Sequence, residues 1–184
     1  MVFDYPAKHG IQQVAGFSDP LSYEIVSQLK RRRTGGPELL AWRENGVWRD
    51  VRSPDVNNFL KEVTGGNHTA KDFRTWCATA ICAKALAITR PSQLSKTGRK
   101  RAVVWAIKEV SSYLGNTPAV CRASYIDPRV IDAYDGGLVI SDAVEMCAAD
   151  LRPGLEHHHP AIHAAVLDLV RGRDASAPGL AQVA

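Results

Sequence analysis

Apolar residues recur every three or four positions along most of the chain, while short alternating stretches fall in its N-terminal part. Val2-Phe3-Asp4-Tyr5 partly alternates and runs into Pro6, Gly10 offers a turn, and Ile11 to Phe17 can return as a second strand. This predicts a hairpin with Lys8 and His9 at or near its tip. Asp19-Pro20 then opens a helix in which Leu21, Ile25, Val26 and Leu29 share a face. It ends in Lys30-Arg31-Arg32-Arg33 and Thr34-Gly35-Gly36-Pro37, cations followed by glycine, which reads as a solvated helix end or a phosphate contact. Glu38 to Trp42 and Val47 to Val51 read as strands around Asn45-Gly46, a hairpin turn signal. Ser53-Pro54-Asp55 starts a further helix with Val56, Phe59, Leu60 and Val63 on one face, and Gly65-Gly66 stops it.

Thr69 to Ile88 reads as a longer helix, with Thr69 and Asp72 at capping-box spacing and Phe73, Cys77, Ala80 and Ile81 as a core stripe. A polar connection from Thr89 to Gly98 leads to a second amphipathic helix, Arg99 to Leu114, carried by Ala102, Ala106, Val110, Tyr113 and Leu114 and closed by Gly115. Thr117-Pro118 to Ser124 is a short helix with Tyr125 at its end. Asp127-Pro128 opens another to about Tyr134, closed by Gly136-Gly137. Beyond this the signals weaken to one helix, Ala161 to Val170, and a small-residue-rich stretch from Gly172 that composition predicts to be disordered. The expected fold is mainly α-helical with a small antiparallel β element near the N-terminus.

With 184 residues, 45% of them hydrophobic, the chain suits one domain or one domain and a tail. A net charge of +4 and a pI near 9.0 fit a polyanionic partner without specifying one. Cys77, Cys82, Cys121 and Cys147 lack CxxC spacing, so neither a zinc site nor a redox pair is signalled. The residues from Met1 onward do not form a signal peptide, and Cys77 to Ile88, the most apolar run, is broken by Lys84 and too short to span a bilayer. A soluble, monomeric, cytoplasmic protein is expected, associated with the nucleoid if DNA is the partner.

Lys8, Arg74, Asn116 and Tyr125 attract notice as chemistry-bearing side chains, although each alone has an ordinary structural reading. Together with their neighbours they carry more. Leu114-Gly115-Asn116-Thr117-Pro118-Ala119-Val120-Cys121-Arg122-Ala123-Ser124-Tyr125-Ile126-Asp127-Pro128 resembles the active-site tyrosine segment of bacterial, poxvirus-like type IB DNA topoisomerases. Ala70-Lys71-Asp72-Phe73-Arg74-Thr75-Trp76 is similar to that family's second-arginine motif, and Asp4-Tyr5-Pro6-Ala7-Lys8 to the hairpin bearing its catalytic lysine. The resemblance runs from about Val2 to Gly137. It implies the helical catalytic core shared by type IB topoisomerases and tyrosine recombinases. It also implies Tyr125 as nucleophile, Arg74 and Asn116 as donors to the non-bridging phosphate oxygens, and Lys8 as general acid to the departing 5′ oxygen.

Elementary chemistry makes this set coherent. Charge accumulates on phosphate oxygens as a nucleophile approaches, and fixed donors aimed at them lower the barrier. Arginine offers a bidentate fork, asparagine a neutral N–H donor of fixed direction. A 5′ alkoxide leaves poorly unless protonated. The covalent step exchanges one phosphate ester for another, so the free 5′ hydroxyl can attack back without ATP, metal or cofactor. No GxxxxGK[ST] loop and no clear carboxylate cluster for magnesium occur in the sequence. Double-stranded DNA is the implied partner. Arg122, three residues before Tyr125, together with Lys71 and the cluster Lys96, Arg99, Lys100 and Arg101, are candidate DNA contacts.

The family pattern also has a first arginine and a DNA-clamping domain upstream of the lysine hairpin, and this chain starts almost at the hairpin. Residues 1–137 are therefore expected to be a partial catalytic domain, and 138–184 a helical extension with a disordered tail. Two other functions compete. A tyrosine recombinase or integrase shares the chemistry, but recombinases carry histidine three residues before the second arginine, where this chain has Lys71. A truncated, non-catalytic DNA-binding remnant would keep the charge and lose the reaction. His159 and His163 stand at i, i+4 beside His157 and His158, but no acidic third ligand is obvious and no metal site is expected.

Overall fold

Two hairpins and two helices precede the first long helix. The computed structural model describes residues 1–6, 10, 12–16, 18–89, 94–147 and 159–183. They divide into two units, Met1–Phe73 and Arg74–Ala184. In the first, β1 (Val2–Pro6) pairs antiparallel with β2 (Gln12–Gly16), Tyr5 opposite Gln13. The hairpin tip, including Lys8 and His9, and the strand-flanking Ile11 and Phe17 lie outside the described residues. Helix α1 (Pro20–Arg31) starts where Asp19 accepts the Ser22 amide at 2.7 Å, with proline in its first turn. Strands β3 (Ala41–Glu44) and β4 (Val47–Asp50) turn through Asn45 (φ 48) and Gly46 (φ 84), the left-handed pair that an Asn-Gly hairpin needs. Helix α2 (Ser53–Thr64) is set by the Asp55 carboxylate accepting from the Arg52 amide at 2.7 Å and ends at Gly65.

One expectation is corrected in this unit. The basic run after α1 is not wholly solvated. The Arg32 side chain, 8% exposed, folds in to donate to the carbonyls of Gly36 and Leu39 at 2.8 Å each and to that of Glu38. Arg32 also pairs with Asp50 at 3.7 Å and lies 5.7 Å from the centre of the Trp48 ring. The loop gathered around it is why β3 begins at Ala41 rather than Glu38. Helices α1 and α2 have the expected helical spacing and contain no buried residue, and Leu21, Ile25, Val56, Phe59 and Val63 are all exposed. Strands of four and five residues in two-stranded pairs offer these helices little sheet surface to pack on within the unit.

The second unit holds the core. Helix α3 (Ala70–Ile88) begins where the Asp72 carboxylate accepts from the Thr69 amide at 2.8 Å, and it is buried nearly all round from Ala78 to Ala87. Its alanines let neighbouring helices approach closely. Phe73, expected in the core stripe, is exposed, while Ala80 and Ile81 are buried. Helix α4 (Lys96–Leu114) starts three residues earlier than expected because Ser95 accepts the Gly98 amide at 3.1 Å, and it ends at left-handed Gly115 (φ 66). Next come α5 (Pro118–Ser124), α6 (Pro128–Asp135), β5 (Leu138–Val139), α7 (Ser141–Cys147), α8 (Pro160–Val170) and β6 (Ala181–Gln182).

Disorder from Gly172 is also corrected. Residues 172–183 turn back so that β6 pairs antiparallel with β5, Leu138 opposite Gln182, and Ala177 and Leu180 are buried. The Val183 amide donates to Gly137 O at 2.7 Å. Gly137 has φ 83, and a side chain there would run into the Val183 carbonyl. The chain is mainly helical with small antiparallel strand pairs, as the hydrophobic pattern predicts. No helix among the described residues is long and apolar enough to cross a membrane.

Candidate active site around Tyr125

Tyr125 opens a three-residue joint between helices. Thr117 caps α5, accepting the Val120 amide at 3.3 Å, and Pro118 follows at the first helical position. Seven residues later the helix ends, and the amides of Tyr125 and Ile126 both reach Cys121 O, at 3.1 and 3.0 Å. Cys121 and Ile126 are buried, so the joint is anchored on both sides of a half-buried tyrosine. Asp127 then caps α6 by accepting from the Arg129 amide at 3.0 Å.

Thr79 fixes this joint to α3. Its hydroxyl donates to Thr75 O at 2.9 Å, lies 3.4 Å from Tyr125 O, and accepts the Asp127 amide at 3.1 Å. At 2% exposure it is a buried polar residue. Its available signal in the sequence was a lone hydroxyl in the otherwise apolar run from Cys77 to Ala83, which needs a partner if buried.

Five residues before Thr79 on the same helix, Arg74 reaches two parts of the site. Its guanidinium carbon stands 5.6 Å from the centre of the Tyr125 ring, and Nη2 donates to Leu114 O at 3.0 Å. Leu114 ends α4, and Asn116 follows two residues on. The Asn116 backbone is held by Ser111, whose hydroxyl donates to Asn116 O at 2.6 Å and whose carbonyl accepts the Asn116 amide at 3.3 Å. Three of the four expected catalytic residues are thereby brought into one neighbourhood: Arg74 and Tyr125 directly, Asn116 through its turn. Among the described residues, neither the Tyr125 hydroxyl nor the Asn116 amide group has a hydrogen-bond partner, so both are uncommitted. Lys8, the fourth, lies outside the described residues.

Burial and the nearby arginines act on the titratable groups here in opposite directions. Burial raises the Tyr113 phenol above its ordinary range, Cys77 adds to this, and Arg74 opposes it. The Cys121 thiol is likewise raised by burial against Arg74. Burial pushes Cys82 up to about 12, with Arg122 opposing. Arg122 is exposed and enters no ion pair among the described residues. Lys71 belongs to the first unit. Lys96, Lys100 and Arg101 are exposed at the start of α4, and Arg99 is half-buried.

The histidines do structural work. His159 caps α8 by accepting the Ala161 amide on Nδ1 at 3.2 Å. Nδ1 of His163 accepts from the Trp76 indole at 2.6 Å, the two rings stacking 5.8 Å apart. Pro160 is therefore the first helical residue of α8. No group of three His, Cys, Asp or Glu among the described residues is placed to hold a metal ion, and His157 and His158 lie outside them.

Residues 1–136 match the family model of the eukaryotic DNA topoisomerase I catalytic core. The chain belongs to this family. The match covers the hairpin, α3, α4, α5 and the Tyr125 joint, and with them Arg74 and Asn116. Membership places the chain among the DNA topoisomerases, which are isomerases acting on DNA. No curated protein matches the chain.

Proposed function

We propose that the chain carries the tyrosine-bearing part of a type IB topoisomerase catalytic core of the bacterial, poxvirus-like branch, which nicks and reseals one strand of duplex DNA. The Tyr125 oxygen attacks phosphorus, the bond from phosphorus to the 5′ oxygen breaks, and a 3′-phosphotyrosine and a 5′ hydroxyl result. The tyrosine proton leaves to solvent, and Lys8 supplies one to the departing oxygen. Return attack by the 5′ hydroxyl restores the strand after the duplex has rotated. Arg74 and Asn116 hold the non-bridging oxygens. One such donor is worth roughly 10²–10³ in rate by analogy with oxyanion holes. Arg122 and Lys71 contact flanking phosphates.

The observation that carries this reading is Arg74, whose one guanidinium stands over the Tyr125 ring while hydrogen-bonded to the turn that leads into Asn116. Its remaining N–H groups have no partner among the described residues, which leaves them for a phosphate laid between those two residues. The test is covalent trapping. The chain is mixed with a labelled duplex whose scissile 5′ oxygen is replaced by sulfur, a leaving group that needs no proton. A denaturation-resistant adduct mapping to Tyr125, absent from Tyr125→Phe, is expected without ATP or magnesium. An adduct at another residue, or none, overturns the assignment.

A further inference from the structure

We propose that the solvent face of α4 is a track for phosphates of duplex DNA other than the reacting one; this rests on the reading of duplex DNA as the substrate. Thr97, Lys100, Arg101, Val104, Trp105 and Lys108 line one surface hollow of about 410 Å³. They succeed one another at three- and four-residue steps, which puts them on one stripe of the helix. The opposite stripe, Ala102, Val103, Ala106, Ile107 and Val110, is buried in the core.

The charge on this helix is not explained by its own stability. Lys96, Arg99, Lys100, Arg101 and Lys108 face a single acidic residue within α4, Glu109. None of the five enters an ion pair among the described residues. Those near its start also oppose the helix dipole, where acidic residues would be favoured. Between the cations of the stripe, Val104 and Trp105 (42% exposed) give an apolar floor for the aliphatic stems, and the indole N–H is a further donor. Cations in a row around an exposed aromatic suit a polyanion better than an acidic side chain, because a duplex presents many phosphates along its length and a carboxylate only one charge.

The position on α4 separates this track from the chemistry. Lys108 precedes Leu114, the α4 residue that Arg74 grips, by six residues, a rise of about 9 Å, and Lys100 lies about 12 Å further back. The stripe therefore extends DNA contact away from the Tyr125 joint.

Binding is measured in the Tyr125→Phe background, where no covalent step intervenes, as the affinity for a plain duplex between 50 and 200 mM salt. K100Q/R101Q/K108Q is expected to flatten the slope of log affinity against log salt by between two and three, since each phosphate contact contributes about 0.9. Removing three exposed cations of the first unit (K30Q/R33Q/K61Q) should change the slope by less than one. The replaced side chains are exposed, and an unchanged thermal unfolding midpoint confirms the fold. Equal slopes for both triples, or no change in the α4 triple, overturns the track. Its fate is separable from that of the nucleophile. A native chain without a Tyr125 adduct but with the α4-dependent slope removes the chemistry and keeps the track, and the reverse pair of results does the opposite.

Discussion

Thr79 shows what one hydroxyl contributes when it is shared between a helix and a joint. In Thr79→Val the shape is nearly kept, but the Asp127 amide loses its acceptor, which costs about 1–3 kcal/mol for a buried donor. If Thr79 positions Tyr125, the loss goes beyond stability. With DNA saturating, the single-turnover rate of adduct formation should fall about tenfold to a hundredfold, the scale of a small misplacement, and Thr79→Ser should recover most of it. A valine variant that is less stable but equally fast would reduce Thr79 to a structural role. Lys8 is tested by its chemistry. Lys8→Ala should slow cleavage of an ordinary strand by about 10²–10⁴ and by less than tenfold when the leaving oxygen is replaced by sulfur. Equal slowing on both strands would remove it as the acid. The shared neighbourhood of Tyr125, Arg74 and Asn116 was legible because long motifs name them together. Thr79 was not, because a threonine in an apolar helix announces a need for a partner without saying which. Arg32 was misread for the related reason that spacing shows where a cation sits along a helix, not which way its side chain folds.

At the scale of elements, capping chemistry was the most readable signal. Asp19, Thr117 and Asp127 all start helices by accepting an amide two or three residues on, with proline next in the chain. What escaped was α7 and the β5–β6 pair, since seven helical residues and two-residue strands are too short to show a period. The exposure of the α1 and α2 faces was not legible, because periodicity reports an apolar face and not what covers it. The Asp127 cap gives a pH test. Arg129 donates to its carboxylate through Nε at 2.9 Å and Nη2 at 2.6 Å, and its Nη1 reaches Val170 O at 2.9 Å. The hydrogen bond from the Arg129 side chain holds the Asp127 carboxyl below its ordinary value, with burial opposing. A carboxyl depressed on folding contributes stability that is fully present above its unfolded pKa, about 3.9, and is lost as pH falls through the folded value. Asp127→Asn keeps a capping oxygen and removes the charge. The native chain should be more stable than this variant at pH 6, by less than about 1 kcal/mol for so exposed a pair. The gap should close as the native carboxyl protonates below pH 4. Denaturant midpoints at the two pH values measure it, and a gap that does not narrow would assign the effect to packing.

At the scale of the molecule, the family match and the hydrophobic core have different ends. The match stops at residue 136, while Ile162, Ala165, Val166, Leu169 and Leu180 belong to the same core cluster as α3 and α4. The segment after Gly137 is thus tied to the helix that carries Arg74, through the Trp76–His163 hydrogen bond as well as by packing. Composition and structure then make opposite predictions for a chain ending at Arg171. A disordered tail could be removed at no cost. The structure instead puts Leu180 in the core, which is worth about 1.5–3 kcal/mol. It also gives the tail two hydrogen bonds to the Gly136–Gly137 turn, from Gln182 Nε2 at 3.0 Å and the Val183 amide at 2.7 Å, each contributing about 0.5–1.5 kcal/mol. Removing 172–184 should therefore destabilise the chain by roughly 2.5–6 kcal/mol, a large part of a typical domain's stability. Leu180→Ala alone should reproduce about 2 kcal/mol or more of it. Urea unfolding of the three proteins decides between the two. Coincident midpoints would mean that β6 does not pair in solution. A shift in both altered chains would mean that the core reaches well past the end of the family match.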